Sequence, residues 1–197
     1  INCLSFSKSF FPLFIEFSLI NNLVIVLKFH IFVISKMEFE LVKLAGFSND
    51  EVSVYTLLNC DTGISLFQSF IQENQHEFPD EVKDIAKRIL SFKEVGAREN
   101  FFKINEGKPG DGVCALYDDE KSNLRLYCIR YGTVLVVLGS GGHKPKTTRR
   151  LQETKKLEDE NQIMRNLSAE IEKRRRNGDL SFSKDFLEID GDLIFNL

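Results

Sequence analysis

Residues 124–149 read LRLYCIRYGTVLVVLGSGGHKPKTTR. Successive side chains of an extended strand leave opposite faces. Leu124, Leu126 and Cys128 therefore point one way, and Arg125, Tyr127 and Tyr131 the other. The first set suits a core beneath helices, and the second an open sheet face. Gly132 supplies a turn, and residues 133–138 (TVLVVL) are continuously apolar, the pattern of a central strand covered on both faces. Residues 139–142 (GSGG) then read as a turn that ends the strand, followed by His143-Lys144-Pro145-Lys146. Upstream, residues 113–117 predict another strand and 118–123 the turn between. Together these make a three-stranded antiparallel meander.

Working outward, residues 37–44 (MEFELVKL) partly alternate and 52–58 (VSVYTLL) are β-branched and aromatic, so both predict strands. Leu66, Phe67, Phe70 and Ile71 share one helical face. Pro79-Asp80 opens a second helix with the stripe Val82, Ile85, Ile89 and Leu90, completing an αα-hairpin. Residues 97–112, with Pro109, Gly107, Gly110 and Gly112, read as a loop. A long helix is predicted from about 148 to 176, with the sparse stripe Leu157, Met164, Leu167 and Ile171 and a stop at Asn177-Gly178. Arg174, Arg175 and Arg176 suit its C-terminal dipole. Asp190-Gly191 between two short apolar runs predicts a last hairpin. The expected fold class is α+β: an antiparallel sheet made of a strand, an αα-hairpin and a three-stranded meander, plus a long C-terminal helix.

The 197-residue chain begins with Ile, and its first Met is Met37; seven of its 18 Phe fall within residues 1–36. That segment reads as a non-native upstream extension. As a membrane anchor it falls short. Its uncharged run, 17–27, contains Asn21 and Asn22, whereas a spanning helix needs about 20 apolar residues. No small-residue cleavage region follows, as a secretory signal requires. The expected organisation is 1–36 as extension, 37–176 as the main domain and 177–197 as a C-terminal hairpin extension. Four cysteines without a CxxC pair argue against a zinc ribbon, a redox motif or a disulfide scaffold, and for a cytoplasmic protein.

Charge is unevenly spread. Residues 121–150 carry Lys121, Arg125, Arg130, Lys144, Lys146, Arg149 and Arg150 with no acidic residue, in a chain of net charge −3. A face laid out for solubility mixes signs. A one-sign run points to an anionic partner, and phosphate is the commonest polyanion. GSGG followed by HKPK matches neither a Walker loop nor a dinucleotide loop, so no nucleotide cofactor is expected. Three scattered histidines without HExxH give no expectation of a metal. What the segment does place together is His143, Lys144 and Lys146 near Arg125 and Tyr127. RNA cleavage by internal attack asks for such a set. A base takes the 2′-hydroxyl proton, cations hold the phosphorane, and an acid protonates the departing 5′ oxygen. The nucleophile is already tethered to its phosphate, so no metal is required.

The order of elements, together with residues 124–149, resembles the RelE/ParE superfamily of toxin–antitoxin proteins, in its HigB-like, phage-derived branch. The resemblance spans 37–176. It implies a RelE-like fold and a ribosome-dependent mRNA endonuclease acting in the ribosomal A site. It also implies neutralisation by a small antitoxin of helix-turn-helix type, with neither membrane nor cofactor. Position by position, Arg125 resembles the arginine that clamps the scissile phosphate, and Lys144 and Lys146 resemble the lysine pair after the last strand. His143 is the expected proton carrier, with Tyr127 beside it. RNA contacts are expected from Lys121, Tyr131, Arg149 and Arg150. The branch often has a further arginine on the preceding strand; this chain has Tyr117 there, so Lys103 or Arg98 is expected to supply that charge. The alternatives are a ParE-like, gyrase-inhibiting toxin or an inactive member of the fold that only binds a partner.

Overall fold

The computed structural model describes residues 37–104, 106–116, 122–144 and 151–197, with side chains of the last segment from 155 onward. The expected extension 1–36 lies outside the described residues. Residues 37–197 form one compact unit.

The chain opens with strands β1 (Glu38–Lys43) and β2 (Ser53–Asn59), then helices α1 (Leu66–Asn74) and α2 (Pro79–Val95). The meander follows as β4 (Val113–Leu116), β5 (Leu124–Tyr131) and β6 (Leu135–His143), preceded by a two-residue strand, β3 (Phe102–Lys103). Helix α3 (Leu151–Asn177) comes next, and then β7 (Leu180–Phe182), β8 (Ile189–Gly191) and β9 (Ile194–Asn196). The fold is α+β, with a seven-stranded sheet in the order β3-β4-β5-β6-β2-β1-β9. Every pairing in it is antiparallel except β2 with β6. That parallel pair needs a long crossover, and α1 and α2 lie within it.

Local chemistry sets the helices. The Ser65 hydroxyl accepts from Gln68 N–H at the start of α1, and Pro79 occupies the first turn of α2. Their stripes bury Phe67, Phe70, Ile89 and Phe92 against Leu124, Leu126, Cys128, Val136 and Leu138. On the other face Tyr127, Ile129, Leu135 and Val137 pack beneath Met164, Leu167 and Ile171 of α3. The alternation of β5 and the double coverage of β6 follow the sequence pattern, but the second face is not open, because α3 lies across it.

Three expectations are corrected. First, GSGG is not a turn. Strand β6 runs through it to His143, with one irregularity where Gly139 and Ser140 oppose Tyr127 alone, a bulge. The glycines serve close approach rather than reversal. A Cβ on Gly139 would stand 2.3 Å from Met164 Sδ, and one on Gly141 1.9 Å from the Arg125 carbonyl oxygen. Second, residues 97–112 are not all loop, since they contain β3. Third, the Asp190-Gly191 hairpin does not form between its flanking runs. Strand β8 pairs with β7, and β9 pairs with β1. Burial overrides the turn preference, because Leu180, Ile189 and Phe195 all enter the core beneath α3. Residues 177–197 are therefore part of the domain, not an extension of it. Glu188 reinforces this by accepting from Tyr55 Oη at 2.9 Å and pairing with Lys43.

Cys114 and Cys128 are buried opposite one another. Among the described residues no helix is long and apolar enough to cross a membrane.

Candidate functional site

Where α3 leaves the start of β5, a cleft of about 490 Å³ opens. Arg125 reaches it from β5, and Asn161, Gln162 and Arg165 from α3; Glu106 and Glu158 add two carboxylates. Tyr127 and Leu157 supply its apolar wall. The Arg125 side chain keeps 24% exposure, and its Nη1 lies 3.3 Å from Glu106 Oε1. Glu106 is held by the helix: Asn161 Nδ2 donates to its carbonyl oxygen at 2.8 Å. Ser168 Oγ clips the same loop by donating to the Asp111 carbonyl at 2.6 Å, and the Asp111 carboxylate accepts from Lys108 N–H and Val113 N–H. The cleft thus combines guanidinium, carboxylate and amide groups on fixed elements, a set suited to holding an anion and accepting a proton.

Of the expected cluster of Arg125, His143, Lys144 and Tyr127, Arg125 and Tyr127 meet at the cleft, and His143 does not join them. In the β5–β6 ladder Arg125 stands opposite Gly142, while His143 stands opposite Leu124. Directly opposed residues share a face. Gly142 faces Lys156 of α3, so Arg125 does too, and His143 goes with Leu124 to the α1–α2 side. There its ring stacks on Phe78, centroids 5.3 Å apart and planes 15° from parallel. The physical reason is the continuation of β6: a turn at GSGG would have freed His143, whereas a strand fixes its side. Lys144 follows the strand, with its N–H donating to the Asn123 carbonyl at 2.6 Å. Glu81 of α2 holds that neighbouring turn, accepting from Asn123 N–H at 2.8 Å and Leu124 N–H at 3.0 Å. Burial pushes the Glu81 carboxyl up, but the hydrogen bonds from Asn123, Ser122 and Leu124 outweigh it and hold it below the usual range.

The other expected contacts divide. Tyr127 is 4% exposed and walls the cleft from within the core. Tyr131 packs on Phe182 at 5.1 Å, and its hydroxyl is buried, which withdraws it from stacking on a base. Arg98 donates through Nε to the Val95 carbonyl at 2.8 Å and caps α2. Lys103 is paired with Ala115, and Ala115 with Tyr127, so Lys103 shares the cleft face two strands away from Tyr127. Lys121, Lys146, Arg149 and Arg150 lie outside the described residues.

A second polar group lies under α3. Glu160 is pushed up to about 7 by burial, further raised by Glu73 and Asp159 and opposed by Lys156 and Ser140. Lys156 pairs with Glu73 of α1. Sequence reasoning missed Glu106, Arg165 and Glu160. Asn161 and Arg165 stand four residues apart, the spacing of one helical face, and that was the only available signal. Glu106 sits in a loop and carried none. Among the described residues no three His, Cys, Asp or Glu side chains gather as a metal site. No protein-family model, curated protein or solved structure matches the chain.

Proposed function

We propose that the chain is a RelE/ParE-like toxin of the HigB-like branch that cleaves ribosome-bound mRNA in the cytoplasm, using the cleft beside α3, and that a small helix-turn-helix antitoxin neutralises it. The observation that carries this reading is the Arg125 guanidinium opening into the cleft with the Glu106 carboxylate 3.3 Å away. The succession β2-α1-α2-β3-β4-β5-β6-α3, a strand and two helices before the meander and the long helix, supports it. Arg125 holds the scissile phosphate and stabilises the charge that develops on it. Glu106 takes the place expected for His143 and accepts the 2′-hydroxyl proton. The 2′ oxygen then bonds to phosphorus and the bond from phosphorus to the 5′ oxygen breaks. That leaves a 2′,3′-cyclic phosphate and, once protonated, a 5′-hydroxyl. The test is transcript mapping on programmed ribosomes. Wild-type protein should cut the mRNA and Arg125→Ala should not, with about 10²–10³-fold lost for one such contact. Intact mRNA with the wild type overturns the reading.

One observation favours the ParE-like alternative: His143 and Arg125 occupy opposite faces, as a protein that binds without catalysis permits. Inhibition of gyrase supercoiling by a preparation that leaves mRNA whole would select it.

A further inference from the structure

We propose that Arg165 and Arg125 form a two-arginine seat for one phosphodiester of single-stranded RNA, and that Glu106 occupies part of that seat in the free protein. The choice of RNA rests on the function proposed above; the anion seat itself rests on the cleft.

The arginines of α3 differ in their ties. Arg174 pairs with Glu170 and Asp192, Arg175 with Glu172, and Arg176 donates to the Glu172 carbonyl. Arg165 makes no ion pair among the described residues, yet it faces the cleft from the helix while Arg125 faces it from the sheet. The Arg125–Glu106 contact, at 3.3 Å, is longer than the roughly 2.7–2.9 Å of a strong charge-assisted bond. A phosphate with two oxygens to offer can compete with the Glu106 carboxylate for the Arg125 guanidinium.

Size and lining narrow the ligand. A volume of about 490 Å³ suits one small ligand; a duplex cannot enter between a helix and a sheet. Tyr127 and Leu157 give a base an apolar surface, and the Gln162 carbonyl beside them can accept from a base edge. An unstacked nucleotide of a single strand meets these demands. The charges also matter: Glu106 and Glu158 balance Arg125 and Arg165, so the cleft is no general polyanion groove.

The test is fluorescence anisotropy of the full chain with a labelled oligoribonucleotide carrying 2′-O-methyl groups, which reports binding without cleavage. Arg165→Gln should weaken binding about tenfold and lower the slope of log K against log salt by about 0.7. Arg165→Lys should fall between that variant and the wild type, and Arg175→Gln should bind like the wild type. Glu106→Gln should bind more tightly, because the competing carboxylate is gone. Circular dichroism on each variant establishes that it folds. Unchanged affinity and slope in a folded Arg165→Gln overturns the seat, as does weaker binding by Glu106→Gln or equal binding of a duplex of the same sequence. The outcomes separate from those of the nuclease reading: an oligonucleotide bound as described by a protein that leaves ribosomal mRNA whole ends that reading and keeps the seat.

Discussion

Arg125 and His143 stand on opposite faces of one sheet, because the residue opposite Arg125 in the β5–β6 ladder is Gly142. His143 therefore turns towards Phe78, away from a phosphate held by Arg125. On the proposed chemistry His143→Ala should leave mRNA cleavage within a few-fold of wild type and cost about 0.5–1.5 kcal/mol of stability through the lost stack on Phe78. Glu106→Gln should lose about 10²–10⁴-fold in the cleavage step. Single-turnover cleavage on programmed ribosomes, with denaturant melts alongside, checks both. A His143→Ala protein that folds and has lost all cleavage would return the proton to His143.

The glycines of β6 give a graded prediction. Gly141→Ala drives a methyl to within 1.9 Å of the Arg125 backbone oxygen, whereas Gly139→Ala meets the flexible Met164 side chain at 2.3 Å. Side chains yield more readily than paired backbone. Gly139→Ala should cost about 1–3 kcal/mol and Gly141→Ala clearly more, because it breaks the ladder that aims Arg125. Urea unfolding midpoints order the two; the reverse order would mean that α3 is seated more rigidly than the sheet.

Much of the fold was legible because period and burial agree. In β5, Leu124, Leu126 and Cys128 lie on the α1–α2 side as alternation requires, and Leu135–Leu138 are buried on both faces. Legibility failed where composition imitates a different structure. GSGG has turn composition, but its glycines admit Met164 and the neighbouring backbone. Asp190-Gly191 has hairpin composition, but Ile189 and Phe195 are drawn to different strands by burial. Of the cleft lining, Arg125 and Tyr127 were named from the sequence as site residues and Leu157 as part of the α3 stripe. Glu106 and Arg165 are brought there by tertiary contacts, the Asn161 bond to the Glu106 carbonyl among them, and no local pattern encodes those.

The tail offers a separate check. Phe195 is fully buried, with the Arg174 guanidinium 4.3 Å from its ring centre. Phe195→Ala should cost about 3–5 kcal/mol and lower the melting temperature accordingly. A dispensable appendage would tolerate the change, so a variant that melts with the wild type would detach residues 177–197 from the domain.

Glu160 predicts how stability depends on pH. Its carboxyl is raised from 4.5 to about 7 in the folded protein, chiefly by burial. Between those values the folded state keeps a proton that the unfolded state has released. Stability from this group is therefore intact below about pH 4.5 and is lost as pH rises towards 7, by at most about 3 kcal/mol. Glu81 works in the opposite sense, since its lowered carboxyl favours folding as pH rises, so the wild type alone does not isolate either group. The comparison with Glu160→Gln does. That variant keeps the shape and removes the charge that Glu73 and Asp159 oppose. It should match the wild type near pH 4 and exceed it at pH 8. Chemical denaturation at both pH values measures the difference. A constant gap across the range would show that Glu160 does not change its protonation on unfolding, and that Lys156 already compensates its charge in the folded state.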